Sequence, residues 1–579
     1  MLRSWFPRLH WAEWLVFALI AAGLSVTNIY TTLLTGWGDG GSIIAVIVSV
    51  LLLRVVLRNK QLTVDTLNIG QTLASAGGSV GFAVCAYAGV KMIDPKLQVS
   101  PGMMVLLFVA MGILGTVVGT SVRKIMVGYF FPSGTACAVI QKTVTGEGKE
   151  AKRPISLLSI FGGLAALITI PTKIAAKRGG HAIISDIKFG KGLGLSLDPL
   201  LFGIGIVVGP RIGLGMMIGA LASPFLLIPM LKSSGVSPKL FGDWVKWMAI
   251  AVLTVPTFAT IGFAYLFRSE PSQPAGFTPG ATEYEKPVAY KAVLGVLFAI
   301  GTLVTAFTIQ KLFYVPWYLT FLTVGLSWPL CIMNGRVTGD TDINPVRLVA
   351  IVLLTAFAFF VMGKANSAMI LMGMAIIGGT LAGMGVDMMQ DLRTGYLVDA
   401  NPYHQTTAQI FGSVVGALVA VPFILYLEKS VGFGPKTPLK APGAQIWSAM
   451  AKAFAGDFTF SSTLIVAIVV VSIVCSGLAF LTVWPKTAPY MPSLFGIGLG
   501  LLLPFSMCFA IFLGGLIKWV VTLVYTNGKK GDEKVEKLHD AGNDTMLVGS
   551  SVFAASAIIS VLVVVANALL PTIIHLPKH

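Results

Sequence analysis

Uncharged apolar stretches of membrane-spanning length recur along this chain, and they constrain its fold more than any other feature. The stretch from Trp14 to Tyr30 contains no charged residue, and a bilayer core takes roughly 20 predominantly apolar residues per helical span. Lipid offers backbone amides no water, so a spanning segment must be a helix or part of a closed barrel. The runs are long and continuous rather than alternating, which is the pattern of helices. Composition agrees: 55% of the 579 residues are hydrophobic and 11% are charged, against about 25% charged in soluble domains. The chain reads as an all-α polytopic membrane protein. Its first run starts near His10, is too long for a signal peptide and shows no small-residue cleavage site, so it is expected to be the first span.

A net charge of +17 would suggest nucleic-acid binding in a soluble protein. Here the basic residues are scattered among connecting loops. Arg54, Arg58 and Lys60, and likewise Arg123 and Lys124, follow apolar runs, where a positive-inside bias puts them. The expected partner is the lipid bilayer, with no nucleic acid. Cys85, Cys137, Cys331, Cys475 and Cys508 all lie in apolar stretches without a C-x-x-C pair, so they are read as buried small side chains rather than disulfides or metal ligands. No cofactor and no protein-held metal is expected.

Apolar segments fall near 11–32, 41–58, 67–92, 101–121, 125–142, 155–173, 195–210, 211–231 and 243–267. A polar linker over 268–287 separates them from a second series near 288–311, 316–333, 343–362, 366–388, 404–427, 460–484, 490–505, 506–524 and 546–570. The two series align as copies. Asp65 to Ala74 lies over Thr341 to Ala350 at one offset, Pro199 to Gly205 matches Pro492 to Gly498, and Gly128-Tyr129 falls over Gly395-Tyr396. Collinear matches of this kind indicate an internal duplication, with a first membrane repeat over 1–267 and a second over 288–579. Loop charges do not decide whether the repeats are parallel or inverted.

Strict alternation would put one basic loop outside, after segment 125–142 or after 155–173. A non-crossing segment removes the conflict, and 125–142 carries Phe131-Pro132-Ser133-Gly134-Thr135, where Pro removes a donor and Gly accepts broken geometry. A re-entrant or interrupted helix is expected there. Asn68-Ile69-Gly70-Gln71-Thr72 and Asn344-Pro345-Val346-Arg347 are the other candidate breaks. The competing reading of each is a capped loop end. Interrupted helices at membrane depth must line a cavity or be buried in protein, and in secondary transporters they form substrate and ion sites.

Charged residues near apolar segments are costly. Asp387 and Asp391 share a helix face at i, i+4, and two neighbouring carboxylates can split their proton affinities. Proton coupling, or an ammonium contact, is one reading; the other puts both at the water interface, with Asp391 paired to Arg393 or to a neighbouring loop cation. Arg211, between Gly209-Pro210 and Ile212-Gly213, could meet a substrate carboxylate or snorkel at a tight turn, and the turn is favoured. His404 reads as a loop histidine, with a proton role as the alternative.

The same segments carry a resemblance. Asn68 to Gly78, Phe131-Pro132-Ser133-Gly134-Thr135-Ala136, and Gln390-Asp391-Leu392-Arg393-Thr394-Gly395-Tyr396-Leu397 resemble, in order, three motifs of the oligopeptide transporter family, which includes the yellow-stripe-like metal-chelate carriers. Arg393 stands where that family usually has Lys, which keeps the charge and changes the donor geometry. The resemblance implies about sixteen transmembrane helices in two related halves with discontinuous helices. It also implies proton-coupled uptake of small oligopeptides, modified peptides or, alternatively, metal–chelator complexes of siderophore or nicotianamine type. Lacking a long hydrophilic N-terminus, the chain looks like a prokaryotic member in the cytoplasmic membrane, with a homodimer as one expected assembly.

Breaks and motifs together nominate Asn68, Gln71, Ser75, Tyr129, Pro132, Ser133, Gly134, Thr135, Asn344, Arg347, Gln390 and Tyr396 for substrate binding, and Asp387 and Asp391 for proton coupling. Other classes fit less well. Gly146-Glu147-Gly148-Lys149 lacks the leading Gly and following Ser/Thr of a phosphate-binding loop, so an ATP-driven pump is not indicated. Six histidines, mostly in loops or termini, do not make an enzyme's metal cluster. An ion channel is the remaining alternative, although broken helices in both halves fit alternating access better.

Overall fold

The structure is a computed structural model. It describes residues 5–35, 41–56, 62–129, 131–145, 152–173, 186–190, 193–266, 284, 287, 289–341, 344, 346–434, 437, 439, 441–456, 461–484, 486–487 and 490–573. Along the first half run α1 (Trp11–Thr35), α2 (Ser42–Leu51), α3 (Val64–Ser79), α4 (Phe82–Ile93), α5 (Pro101–Ser121), α6 (Arg123–Met126), α7 (Pro132–Thr145), α8 (Lys152–Lys173), α9 (Pro199–Val208), α10 (Pro210–Ala222), α11 (Ile228–Ser233) and α12 (Phe241–Leu266). The second half holds α13 (Tyr290–Phe313), α14 (Trp317–Thr341), α15 (Val346–Val361), α16 (Ser367–Val398), α17 (Pro402–Ser430), α18 (Pro442–Ala455), α19 (Ser462–Val483), α20 (Leu494–Leu502), α21 (Phe505–Thr526) and α22 (Gly531–Ile573). One small antiparallel hairpin pairs β1 (Ile187–Gly190) with β2 (Leu193–Leu195). Of the polar linker, only Tyr284 and Pro287 lie among the described residues.

The expected number of crossings is corrected. Among the described residues, 10 helical stretches, not about sixteen, are long and apolar enough to cross a membrane, with three shorter apolar helices beside them. The reason is helix continuity, which hydropathy does not register. Apolar segments 195–210 and 490–505 form α9 and α20, of 10 and 9 residues, which at 1.5 Å per residue reach about half the thickness of a bilayer core. Pro210 and Pro504 stand one residue beyond the ends of these helices, after Gly209 and Leu503, and cannot continue their hydrogen-bond ladders. Segment 41–58 likewise gives a 10-residue α2 that passes into a π-helical turn over Leu52–Val56.

The chain divides into two compact units, and each takes one stretch from each half. Unit 1 comprises Met1–Ala151 with Glu270–Thr459, and unit 2 comprises Lys152–Ser269 with Phe460–His579.

In unit 1 the axis is α16. It has 32 residues, nearly all with buried side chains, and it packs against α3, α4, α5, α7, α14, α15 and α18. Such a helix can be buried on every side because it is apolar all round and small at its contacts. A Cβ on Gly385 would stand 2.4 Å from the Cys331 sulfur. Beside it, α3 lies between α1 and α17. It starts at Thr63, whose side chain accepts from the Thr66 N–H, and it gives way to α4 at Val80-Gly81. The Pro132 segment is also interrupted. Phe131 takes the left-handed conformation (φ 44°), its N–H donates to the Gly339 carbonyl at 2.9 Å, and α7 starts at the following proline, a position that suits proline's fixed φ and missing donor.

Unit 2 repeats one packing scheme twice. Helix α8 lies on α22 and α19 on α12; α9 meets α21 and α22, and α20 meets α10 and α12. Glycine makes the crossings this close. A Cβ on Gly205 would lie 2.1 Å from the Ile511 carbonyl oxygen, and one on Gly219 would lie 2.1 Å from that of Ile497. Small residues let helix backbones touch where there is no water to drive association.

Candidate substrate-binding site

The interior of unit 1 contains one extended polar cluster, centred on Asp391 of α16. Asp391 is fully buried. Ser42 of α2 donates to its Oδ1 at 3.0 Å, Gln71 of α3 donates to the same oxygen, and Ser75 donates to Oδ2. Each donor is neutral. Gln141 of α7 extends the chain by donating to Gln71 Oε1 at 2.7 Å. Gln405 of α17 donates to the Asp391 carbonyl at 2.7 Å and to Thr72 Oγ1 at 3.3 Å. Polar side chains from α2, α3, α7 and α17 thus converge on one turn of α16, as interhelical hydrogen bonding in a membrane interior allows.

Asp387, one turn earlier and 1% exposed, is also interior. The interface reading, with Asp391 paired to Arg393, does not hold. Arg393 Nη1 instead donates to the Val127 carbonyl at 2.8 Å, and positions i and i+2 do not share a helix face.

The Phe-Pro-Ser-Gly-Thr motif packs on the turn of α16 that carries Gln390 and Thr394. Thr394 Oγ1 donates to the Gly134 carbonyl at 2.9 Å, and a Cβ on Gly134 would come within 2.6 Å of the Gln390 carbonyl oxygen. Only glycine permits this approach. Ser133 and Thr135 are buried on the first turn of α7. The Pro132 and Arg347 side chains lie outside the described residues.

The paired asparagines differ. Asn344 is engaged: Asn334 Nδ2 donates to its Oδ1 at 2.8 Å, and its own Nδ2 donates to the Gly383 carbonyl at 3.1 Å. Asn68, fully buried, has no hydrogen-bond partner for either amide atom among the described residues.

The remaining nominated residues are dispersed. Tyr129 packs with Phe131, Cys331 and Met389 in an apolar cluster. Tyr396 lies under the Arg393 guanidinium, 5.8 Å from ring centroid to carbon. Arg211 donates from Nε to the Met491 carbonyl at 3.1 Å, and its own carbonyl accepts from the Ser493 N–H, so it brackets a turn. His404 is on the first turn of α17, not in a loop, and it lies within electrostatic reach of Asp65. All five cysteines are buried free thiols. No group of three or more His, Cys, Asp or Glu among the described residues could hold a metal ion.

Sequence reasoning missed Ser42, Gln141 and Gln405. Their one signal is a polar side chain inside or beside an otherwise apolar run, and nothing in their spacing relates them to Asp391.

The OPT oligopeptide transporter protein family matches residues 11–567. The chain belongs to this family. Its members are transporters, so the chain is a multi-pass membrane transporter and not an enzyme. A Haemophilus influenzae protein named "Putative oligopeptide transporter" is 22% identical over 84% of this chain and 85% of its own length. A protein of the same description from Saccharomyces cerevisiae is 23% identical over 45% of this chain and 35% of its own. The iron-phytosiderophore transporter yellow stripe 1 of Zea mays is 32% identical over 27% of this chain and 23% of its own length.

Proposed function

We propose that this OPT-family chain is a secondary active carrier for the uptake of small oligopeptides or modified peptides, coupled to protons at Asp387 and Asp391. The observation that carries the reading is Asp391 itself, fully buried and held by neutral donors from two neighbouring helices. A charge buried in that setting is expensive, and a second carboxylate one turn away makes the charge state of the pair depend on proton supply. Gln71 and Ser75 bond Asp391 on that turn, Gln390 stands on the turn itself, and Asn68 lies one turn before Gln71 and Thr72 on α3; these are the groups proposed to bond peptide amides. Asn68 supports this role best, because a fully buried amide without partners among the described residues is costly and a bound peptide group removes the cost.

Uptake of a metal–chelator complex is the second reading, favoured by the similarity to the maize phytosiderophore transporter. In that case the metal travels inside its chelator.

A thermal-shift screen of the purified full-length protein against di- to hexapeptides, glutathione and metal–chelator complexes separates the two, since a bound ligand stabilises by mass action. Hits are then tested for saturable, counterflow-capable uptake in proteoliposomes. Currents far above carrier turnover would replace the carrier reading with a channel.

A further inference from the structure

We propose that Arg393 of α16, together with Arg123 of α6, forms an anion site that receives a carboxylate of the transported molecule. The proposal rests on the carrier reading for what is bound, but its geometry is independent of the Asp391 cluster. Arg393 is 3% exposed. Its Nη1 is fixed on the Val127 carbonyl, and its Nε has no hydrogen-bond partner among the described residues. Arg393 stands before the last turn of α16, outside the reach of the helix terminus, so what accounts for its position is the Val127 bond. It does not account for a buried donor left open.

The surroundings point to an anion. The Val127 N–H donates to the Arg123 carbonyl at 2.9 Å, so the carbonyl that holds Arg393 lies one turn from Arg123. The Arg123 Nε is likewise buried without a hydrogen-bond partner among the described residues. Burial pushes the Arg123 guanidinium below the usual arginine range, while the nearby hydroxyls of Tyr403, Tyr290 and Tyr396 act in the opposite direction. Among the described residues, neither arginine forms an ion pair with a carboxylate.

Tyr396 covers one face of Arg393, and Tyr290 and Tyr403 pack edge to face at 4.7 Å. A buried Arg393, a half-buried Arg123, their two buried Nε donors and a wall of tyrosines can hold a carboxylate, the anion that matches guanidinium geometry. A free peptide C-terminus supplies such a group, and so does a carboxylate of a chelator.

The test compares thermal stabilisation of the purified full-length protein by trialanine, its C-terminal amide, citrate and inorganic phosphate. The free acid should stabilise the native protein more than the amide does. In Arg393→Gln the apparent affinity for the acid should fall roughly tenfold or more, as loss of a charge-assisted bond implies, and the acid–amide difference should vanish. Arg393→Lys, which keeps the charge without the fork, should fall between. If Arg393→Gln does not fold, Arg123→Gln carries the same comparison. The proposal is overturned if native protein does not distinguish acid from amide, if phosphate stabilises it and no carboxylate does, or if the difference survives in both arginine variants. Uptake in proteoliposomes separates this failure from failure of the carrier reading. Arginine-dependent binding without accumulation sinks the carrier and keeps the site. Accumulation with unchanged acid preference in the variants does the reverse.

Discussion

Replacing Asp391 by Asn removes a charge while nearly preserving shape, so it separates the structural role of this carboxylate from its role in coupling. The native side chain accepts from Ser42, Gln71 and Ser75. Hydrogen bonds to a charged group are worth about 1.5–3 kcal/mol and neutral ones about 0.5–1.5 kcal/mol, and losing the charge also removes its burial penalty. Asn can keep Oδ1 toward Ser42 and Gln71 while Nδ2 donates to the Ser75 hydroxyl, which is able to rotate. Asp391→Asn should therefore shift stability by about 1 kcal/mol or less, the small residue of opposing effects. Asp391→Ala leaves the Gln71 amide without its acceptor and should cost about 2–4 kcal/mol, since a stranded buried donor costs about 1–3 kcal/mol and a cavity adds to it. Uptake should behave differently. In proteoliposomes with an inward proton gradient, Asp391→Asn should still bind and equilibrate substrate but should not accumulate it, and Asp387→Asn should reduce accumulation in the same direction. Gradient-driven accumulation by Asp391→Asn equal to that of the native protein would refute the assignment, as would unchanged pH dependence in both variants.

Other variants probe the frame around the site. Gly134→Ala places a methyl 2.6 Å from the Gln390 carbonyl oxygen and should cost about 1–3 kcal/mol by overpacking, read as a lowered thermal midpoint together with weaker substrate binding. Gly205→Ala in unit 2 meets the Ile511 carbonyl at 2.1 Å; backbone cannot swing aside, so a loss of about 3 kcal/mol should lower the midpoint. Tyr87→Phe deletes a 2.6 Å bond to Glu428, which also pairs with Lys91 at 2.8 Å, and should cost about 1.5–3 kcal/mol. Asn68→Ala should leave the midpoint unchanged or raised while weakening substrate binding, whereas Asn344→Ala, which loses two bonds, should cost about 1–3 kcal/mol, read as a lowered midpoint.

Helical membrane architecture was legible because lipid imposes it on any run as apolar as Trp14 to Tyr30. The break at Pro132 and the turn at Gly209-Pro210 were legible because proline interrupts a ladder wherever it falls, whereas the break expected over Asn68 to Thr72 is corrected: these residues lie inside the continuous α3. Span number was not. Hydropathy integrates apolar length, and α9 with α10, or α20 with α21, contribute the apolar length of spans in broken pieces. Asp387 and Asp391 could be placed on one face from their spacing alone, but not in the interior, since an i, i+4 pair looks the same at a helix end. Ser42, Gln141 and Gln405 carried no pattern at all, because tertiary packing alone brings them to Asp391.

The duplicated asparagines show how a repeat becomes a site. Both stand at the same register of their halves, and a symmetric molecule would treat them alike. Asn344 is consumed by Asn334 and the Gly383 carbonyl, which ties the approach to α15 onto α14 and α16. Asn68 stands in a continuous α3 with its amide open, and the residues that follow it, Gln71 and Ser75, both reach Asp391. At the common offset Arg347 and Ile351 stand in place of Gln71 and Ser75, and Ile351 has no side-chain donor to match that of Ser75. The second half supplies Asp391 on α16, and the first half supplies the amide and the two hydroxyls that bond its side chain. In the proposed site, the contacts on the Asp391 side chain therefore rest on divergence between the copies, since Ser75 donates to it and the aligned Ile351 could not.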